Sequence, residues 1–403
     1  MGDITMTRRS FLGAAAMAAA LAGCRGTADG TGDGGDGPVT DADGNGGDIM
    51  GNGTGPAGDG AQGAIPLVVT EQEPVDGDAA WCGSMQVCWD MLMDRFNGGR
   101  PIVFDDEASN TAEIAHLNER TFGTRNMSDD HYYAYAGFAT LAARDEIEEA
   151  LMAKFGEGSD ILSSISWAEI QLAADRLLYA MIFRKFAFEH PFELNEGDGL
   201  FGYGGADDGR QAHDVTYFEA ADDDQRSQVS VLYYASPTDH ATRIATADGD
   251  EVILVRSPAA GTLGEIWAEA NRRSEGYDGG RSLAGDETFM CPCIDIDLRR
   301  EFPEWGRSTF SVSLDGWIDK ARITEAIQTL KLSLDNEGGR VKSEAAITLK
   351  IESAMPADRA RNFSYDGRFA MFVVDANAPD PSMPYVGVLV DDVTRFQAGA
   401  TRD

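Results

Sequence analysis

The chain has 403 residues, with 68 acidic against 33 basic side chains and a formal net charge of −35. This charge argues against a nucleic-acid binder and against adhesion to anionic lipid through a basic face, because both need clustered cations. With only five cysteines, the chain is not a scaffold built from many disulfides. The length allows one large domain or two ordinary ones, and 43% hydrophobic residues suffice for a sizeable core.

The first 24 residues have the pattern of an export signal. Arg8 and Arg9 precede an apolar stretch (11–22) that is too short to span a bilayer, which is typical of a twin-arginine signal. The stretch leads into Leu-Ala-Gly-Cys at 21–24, which resembles a bacterial lipobox, whose cysteine becomes the lipid-bearing first residue. We therefore expect an exported protein, lipidated at Cys24 and anchored to the outer face of the cell membrane, at the cell surface.

Residues 25–64 consist mainly of Gly, Asp, Thr and Asn, with few apolar side chains. Such a composition cannot bury enough surface to offset its ordering entropy, so it predicts a disordered acidic tether. The Asp-Gly repeats also suggest a calcium loop, but the run at 41–45 lacks the terminal Glu and flanking helices of a helix-loop-helix site. The tether would hold the next domain off the membrane.

A single domain is expected over 65–396, followed by a tail at 397–403. Its first part has helical periodicity. Helices are predicted over 82–96, 111–120, 129–142, 144–155 and 167–188. The last of these is unusually apolar, and its central part, 177–183, is alternatively a buried strand.

After Pro191 the pattern favours strands, interrupted by one helix predicted over 261–273. Strands are predicted over 228–234, 241–245, 251–256, 290–298, 310–314, 327–334, 368–375 and 384–390. Residues 340–351 also alternate strictly between small or apolar and polar side chains. Helices first and strands later indicate an α+β fold with large, mostly antiparallel sheets.

The cysteines are the first candidates for chemistry. Cys82 precedes a predicted helix, where a thiol can have a lowered pKa and act as a nucleophile, although only His213 with Asp214, or His240, offers a partner. Four thiols could alternatively hold zinc, pack in the core or form a disulfide. These four are Cys82, Cys88, Cys291 and Cys293. Their spacing does not match the usual zinc pairs, and we predict no metal site.

The last third of the chain resembles the serpin family, specifically in residues 326–391. A strand at 326–336 runs into Glu337 and two glycines, and a segment of about 25 residues follows. Next come a Phe-rich strand at 365–373 and a Pro-aromatic-x-Gly-x-Val strand at 383–391. The resemblance implies a serpin-like architecture, in which helices pack on large mostly antiparallel sheets and a loop is exposed near the C-terminus.

In serpins a protease cleaves that loop, and the hinge then inserts into the main sheet as a new strand while the protease is still acylated. The resemblance therefore implies a hinge that includes Glu337, Gly338, Gly339, Val341, Ser343 and Ala345. Alternate positions from Gly339 to Ile347 are small or apolar, which suits a strand with one buried face. Charged Arg340, Lys342 and Glu344 on the other face replace the family's small residues and weigh against insertion.

The resemblance also implies a scissile bond beyond the hinge. Counting from Gly338 suggests Glu352, whereas counting back from Tyr365 suggests Ala357, just after Met355. Cleavage at Ala357 would indicate an elastase-like protease and cleavage at Arg359 a trypsin-like one.

Three functions remain open at this point. The first is inhibition of an extracellular serine or cysteine protease by loop insertion, which requires no cofactor. The second is binding of another protein, without inhibition, by the same fold. The third is a thiol hydrolase built on Cys82. In each case we expect a monomer that contacts the membrane only through its lipid and does not bind nucleic acid.

Overall fold

The computed structural model describes residues 65–170, 175–201, 213–259, 261–314, 317–340 and 360–397. All of them belong to one compact unit that spans residues 62–403. The predicted export signal with Arg8, Arg9 and Cys24, the tether and all but Gln397 of the tail lie outside the described residues. None of the described helices is long and apolar enough to cross a membrane.

The α-helices of the described residues are short, and local sequence sets their ends. For example, Thr140 accepts a hydrogen bond from the Ala143 N–H at the start of one helix, which ends at Gly156 in the left-handed conformation. The helices are α1 (Ser84–Met91), α2 (Ala112–Glu119), α3 (Leu141–Phe155), α4 (Asp223–Ser227) and α5 (Leu263–Glu275). A π-helical turn, Leu92–Phe96, continues α1.

Strands make up most of the remaining regular structure. They are β1 (Leu67–Val68), β2 (Pro74–Val75), β3 (Ala79–Cys82), β4 (Tyr132–Phe138), β5 (Arg176–Ile182), β6 (Lys185–Ala187), β7 (Glu193–Phe201), β8 (His213–Glu219), β9 (Val229–Ser236), β10 (Asp239–Ala245), β11 (Asp250–Arg256), β12 (Gly261–Thr262), β13 (Thr288–Pro292), β14 (Ile294–Glu301), β15 (Phe310–Leu314), β16 (Trp317–Ala321), β17 (Ile327–Leu334), β18 (Gly338–Arg340), β19 (Asn362–Ser364), β20 (Phe369–Asp375) and β21 (Val386–Val390). The α+β class predicted from the sequence is confirmed.

Three sheets of the described residues matter for the site. A seven-stranded sheet has the order β1-β3-β21-β20-β11-β10-β9. A four-stranded sheet with the order β14-β17-β18-β6 contains the predicted hinge residues Gly338 and Gly339, and we call it the hinge sheet. We call the four-stranded sheet with the order β19-β13-β8-β7 the anchor sheet, because it holds the residues that follow position 360. Every residue of β20 and β21 is buried, which explains why both strands are continuously apolar instead of alternating.

Two predicted helices are strands in the structure. Residues 129–142 were predicted to be helical, but Tyr132–Phe138 is β4, which pairs antiparallel with β5 along its whole length. Its alternating aromatic residues and Gly137 favour a half-buried strand over a helix. The helix predicted over 167–188 is also wrong, and the alternative strand at 177–183 is confirmed as β5.

Candidate functional site

The turn between β17 and β18 contains the predicted hinge residues Glu337, Gly338 and Gly339. The Asp335 carboxylate accepts hydrogen bonds from the backbone N–H groups of Glu337 (2.8 Å) and Gly338 (3.2 Å). Gly338 has φ +149°, which L side chains rarely adopt, and a Cβ there would overlap the Phe186 carbonyl. A Cβ on Gly339 would overlap the Phe186 ring. Position 338 therefore requires glycine, whereas a side chain at position 339 would require the Phe186 ring to shift.

The hinge strand β18 lies between two other strands. Leu334 pairs with Gly339 on one side, and Phe186 pairs with Gly339 on the other, both antiparallel. Only three residues of β18 are described, so β17 is paired on this side only at its last two residues, Ser333 and Leu334. Within the described chain, the remainder of that β17 edge has no neighbouring strand.

Below β18, no strand of the described residues lies between β17 and β5. In the described residues β5 pairs only with β4, and the edges of β5 and β17 line the same two cavities. We call the gap between these two edges the slot. The smaller cavity has a volume of about 80 Å³ and the larger one about 690 Å³. Ser84, Met85, Cys88 and Trp89 of α1 contribute to the lining of the larger cavity.

The slot contains a buried polar atom without a partner. Gln328 of β17 is 2% exposed, and its amide Nε2 donates to the Cys82 carbonyl (3.0 Å). Its Oε1, however, accepts no hydrogen bond within the described chain. Leaving a buried acceptor unsatisfied typically costs about 1–3 kcal/mol. The unsatisfied Gln328 Oε1 atom therefore lowers the stability of the protein by an amount of this order.

Residues 157–170, which follow α3, form polar contacts with β6, with β17 and with the segment before β17. Glu157 pairs with Lys185 of β6 (3.3 Å), and Asp160 pairs with Lys331 of β17 (3.2 Å). The Ser166 hydroxyl donates to the Glu325 carboxylate (3.1 Å). These contacts are partly exposed and are therefore individually weak.

A buried charge cluster holds the junction of β5 and β6. Arg184 pairs with the fully buried Asp250 (2.6 Å), which also accepts hydrogen bonds from His131 Nε2 (3.1 Å) and the Tyr385 hydroxyl (2.9 Å). His131 Nδ1 lies 3.5 Å from Asp375. Burial lowers the pKa of His131, but the hydrogen bond to Asp250 and the two carboxylate charges outweigh it and raise that pKa above 6.5.

The other end of the 341–359 segment is held by Arg361. Its guanidinium forms a bidentate pair with Glu287 and donates to the carbonyl oxygens of Gly280 (2.6 Å) and Ser282 (3.0 Å). The hydrogen bonds with Glu287 raise the pKa of Arg361 further. The next residues form β19, which pairs in parallel with β13 in the anchor sheet. The sequence prediction missed this clamp because its partners are about 75 positions apart.

The cysteines do not form a reactive site. Burial raises the pKa of Cys82 to about 11 and those of Cys88 and Cys293 to about 12, and it also raises the pKa of Cys291. This is the opposite of the lowered pKa that a thiol nucleophile needs. All four thiols are free, and the described residues contain no cluster suited to a metal ion. Of the alternatives, packing as small apolar residues is the one observed.

The other predicted loop residues lie outside the described residues. These are Val341, Ser343 and Ala345 of the hinge face and Glu352, Met355, Ala357 and Arg359 of the scissile region. The side chains of His213 and Asp214 are likewise not described. His240 is fully buried against Phe363 and Tyr365, and burial lowers its pKa to about 4.

Comparisons with known proteins find likenesses at the level of structure only. No protein-family model matches the sequence, and no curated protein matches it. Among solved structures, a Manduca sexta serine protease inhibitor, serpin-12, is 10% identical with a TM-score of 0.45, covering 79% of this chain and 94% of that one. The native thermophilic serpin Tengpin is 11% identical with a TM-score of 0.41, covering 80% and 90%.

Human thyroxine-binding globulin in complex with thyroxine is 10% identical with a TM-score of 0.44, covering 78% of this chain and 92% of that one. The resemblance predicted from residues 326–391 is thus found again between structures. These likenesses are distant. What positions the site is the chain's own strand order, in which β18 lies between β17 and β6.

Proposed function

We propose that this protein inhibits an extracellular protease by loop insertion. A serine or cysteine protease cuts within 341–359, the peptide bond breaks, and the new carbonyl end forms an ester or thioester with the nucleophile while the amine end leaves. The N-terminal arm then extends β18 down the slot as a strand between β17 and β5. The observation that supports this most strongly is β18 itself, already paired on both sides at the top of an open gap.

The observed register predicts which side chains would be buried. Leu334 pairs with Gly339, so continuing the antiparallel ladder along β17 brings 341, 343 and 345 opposite Leu332, Leu330 and Gln328. Directly opposed residues share a face, and these three β17 side chains are buried. Val341, Ser343, Ala345 and then Ile347 would therefore point inward, while Lys342 and Glu344 would point toward solvent.

The experiment is a controlled cut followed by thermal unfolding. Elastase-like and trypsin-like proteases are added, and cleavage between Thr348 and Arg359 is verified by mass spectrometry. Because insertion would bury at least Val341 and Ile347 and complete the ladder, we expect Tm to rise by about 10 °C. A clean cut without a thermal gain contradicts insertion. A gain without a covalent, denaturant-resistant protease complex would leave insertion intact but contradict inhibition.

A non-inhibitory binding protein is the second candidate, and one observation favours it. Arg340, Lys342 and Glu344 replace the run of small residues found in serpin hinges, although the register places them on the solvent-facing side of the strand. In that case the residues after β18 would not enter the slot, and the cut form would have the same Tm as the intact one. The thiol hydrolase is not proposed further, because the pKa of Cys82 is raised instead of lowered.

We also propose export and lipid anchoring, supported by the Arg8-Arg9 pair and by Cys24 in its lipobox-like context. The acidic tether would then hold the domain at the cell surface, where an extracellular protease can reach it. Metabolic labelling with a radioactive fatty acid should label the wild type and not Cys24→Ser. Replacing Arg8 and Arg9 by Lys should leave the protein inside the cell.

A further inference from the structure

Two buried carboxylates lie directly opposite each other in the seven-stranded sheet. Asp250 of β11 pairs with Asp375 of β20, and the two residues are 1% and 0% exposed. Like charges that face each other across neighbouring strands destabilise a sheet, and a buried carboxylate is costly unless a cation or hydrogen bonds compensate it. The two carboxylates therefore depend on the basic groups around them.

Only two basic side chains of the described residues form ion pairs with these carboxylates. The Arg184 guanidinium pairs with Asp250 at 2.6 Å. The His131 imidazole, in a residue that is 2% exposed, lies between the two carboxylates, with Nε2 3.1 Å from Asp250 and Nδ1 3.5 Å from Asp375. Within the described chain Asp375 has no other basic partner, and its remaining hydrogen bonds come from backbone N–H groups.

Two further titratable groups face His131. Asp130, which precedes it in the chain, is exposed and lies 3.3 Å from Nδ1. The Tyr385 ring packs edge-on against the imidazole, and burial raises the pKa of its hydroxyl, so this group stays neutral. A protonated His131 and Arg184 together balance the two buried carboxylates, whereas a neutral His131 leaves Arg184 alone with both. Because a guanidinium keeps its charge, the proton on His131 is the variable part of this balance.

The same cluster is joined to a strand that holds the hinge. The His131 carbonyl accepts a hydrogen bond from the Phe183 N–H (2.9 Å), at the junction of β5 and β6. From this junction Arg184 donates to the Asp248 carbonyl (2.9 Å), and the Asp248 carboxylate accepts from the Ala187 N–H of β6 (2.9 Å). Because β6 is one of the two strands that pair with β18, the charge balance of the cluster affects how firmly the hinge strand is held.

We propose that the proton on His131 is a switch that holds the hinge strand in place. With the proton bound, the junction of β5 and β6 stays closed and β18 stays paired with β6. When the proton is lost, the two buried carboxylates share one cation, the junction opens locally, and β6 releases β18. The switch operates in the uncut protein without a protease, so it stands or falls independently of protease inhibition.

The direction of the pH dependence follows from the surroundings of the imidazole. Burial lowers the pKa of His131, but the hydrogen bond to Asp250 and the two carboxylate charges outweigh it and raise that pKa above 6.5. The proton is therefore held at pH 6 and is lost as the pH rises through the folded pKa. We expect the junction to be closed at pH 6 and to open on the alkaline side.

Hydrogen exchange with mass spectrometry on the uncut full chain tests this switch. Amide protection is measured at pH 6 and pH 9 and corrected for the intrinsic pH dependence of exchange. We expect the protection factors of 183–188 and 338–340 to fall roughly tenfold at pH 9, because loss of one buried ion pair shifts a local opening equilibrium by at least this factor. Helix α5, outside the cluster, should keep its protection. Unchanged protection at the junction, or an equal fall in α5, overturns the proposal.

Variants assign the effect to the imidazole and its carboxylates. His131→Gln keeps a donor for Asp250 but never carries a charge, so its junction should have the same low protection at both pH values. In Asp375→Asn one of the two carboxylates is neutral, and the fall between pH 6 and pH 9 should become smaller. The control His116→Gln lies on α2, outside the cluster, and should behave like the wild type. A fall that persists in His131→Gln, or remains full in Asp375→Asn, overturns the proposal.

Discussion

The two ends of the 341–359 segment are held in different ways. At the N-terminal end, three residues of β18 are attached by backbone hydrogen bonds to β17 and β6. At the C-terminal end, Arg361 makes a bidentate pair with Glu287 and bonds to two carbonyls before β19 joins the anchor sheet. The N-terminal end is therefore a short strand that further residues could extend, whereas the C-terminal end is fixed by side-chain and backbone hydrogen bonds.

This difference determines what a cut within the segment would release. The N-terminal arm would be free to extend β18, since within the described residues no strand pairs with the facing edges of β5 and β17 below it. The C-terminal arm would stay in the anchor sheet, because the Arg361 clamp and β19 do not depend on residues 341–359. Four predictions test this contrast, in order of decreasing expected effect.

The largest effect should come from a charge on the inward face of the extended strand. In Ala345→Glu the carboxylate would be buried opposite Gln328, and we expect the thermal gain of about 10 °C after cleavage to disappear. Ala346→Glu is the matched control, since 346 alternates with Lys342 and Glu344 on the outward face and should keep the gain. Thermal unfolding of the cut forms measures the gain in Tm. Equal gains in both variants would contradict the proposed register.

Removal of the clamp should come next. Arg361→Ala leaves the nearly buried Glu287 without its cation, and we expect the intact protein to lose about 3 kcal/mol of unfolding free energy. Urea unfolding measures this. Arg272→Ala removes an exposed, solvent-screened pair with Glu269 on α5 and should leave the unfolding free energy nearly unchanged. Similar losses of unfolding free energy in the two variants would show that the Arg361–Glu287 pair stabilises the protein no more than an exposed ion pair does.

A smaller effect is expected at the hinge. Gly338→Ala places a Cβ at φ +149° against the Phe186 carbonyl, which should cost about 2 kcal/mol. Gly158→Ala is a suitable control, because a Cβ there would meet nothing within 4 Å. Urea unfolding of both variants gives the comparison. An unchanged stability in Gly338→Ala would mean that the turn can relax without cost.

The smallest effect concerns pH and the cluster that holds the β5–β6 junction. Because the folded pKa of His131 is raised above 6.5, its contribution to stability is full below pH 6.5 and is lost as the pH rises through the folded pKa. The difference in unfolding free energy between wild type and His131→Gln should therefore shrink from pH 6 to pH 9. A difference that stays constant or grows over this range would contradict the charged pair with Asp250.

The resemblance at Glu337-Gly338-Gly339 placed a strand end here, and the structure has β18 at Gly338–Arg340, since this signal lies within a few residues. The helix predicted over 129–142 was wrong, because helical periodicity was preferred to the alternating aromatic residues of Tyr132–Phe138, which pair with β5. The sequence prediction also missed Arg361 and His131, whose roles depend on partners in distant segments. Burial of Cys82 reversed the expected pKa, because a position near a helix start does not reveal the depth of the thiol.

The position of β20 and β21 has a consequence for the connectivity of the cleaved molecule. Both strands are fully buried inside the seven-stranded sheet, where β20 pairs with β11 and β21 pairs with β3. A cut before residue 360 would therefore produce two polypeptides that remain one particle, as in a split protein reassembled from its fragments. Once unfolded, the pieces would separate and recovery would become bimolecular, so the cut form would refold only with a rate that depends on its concentration.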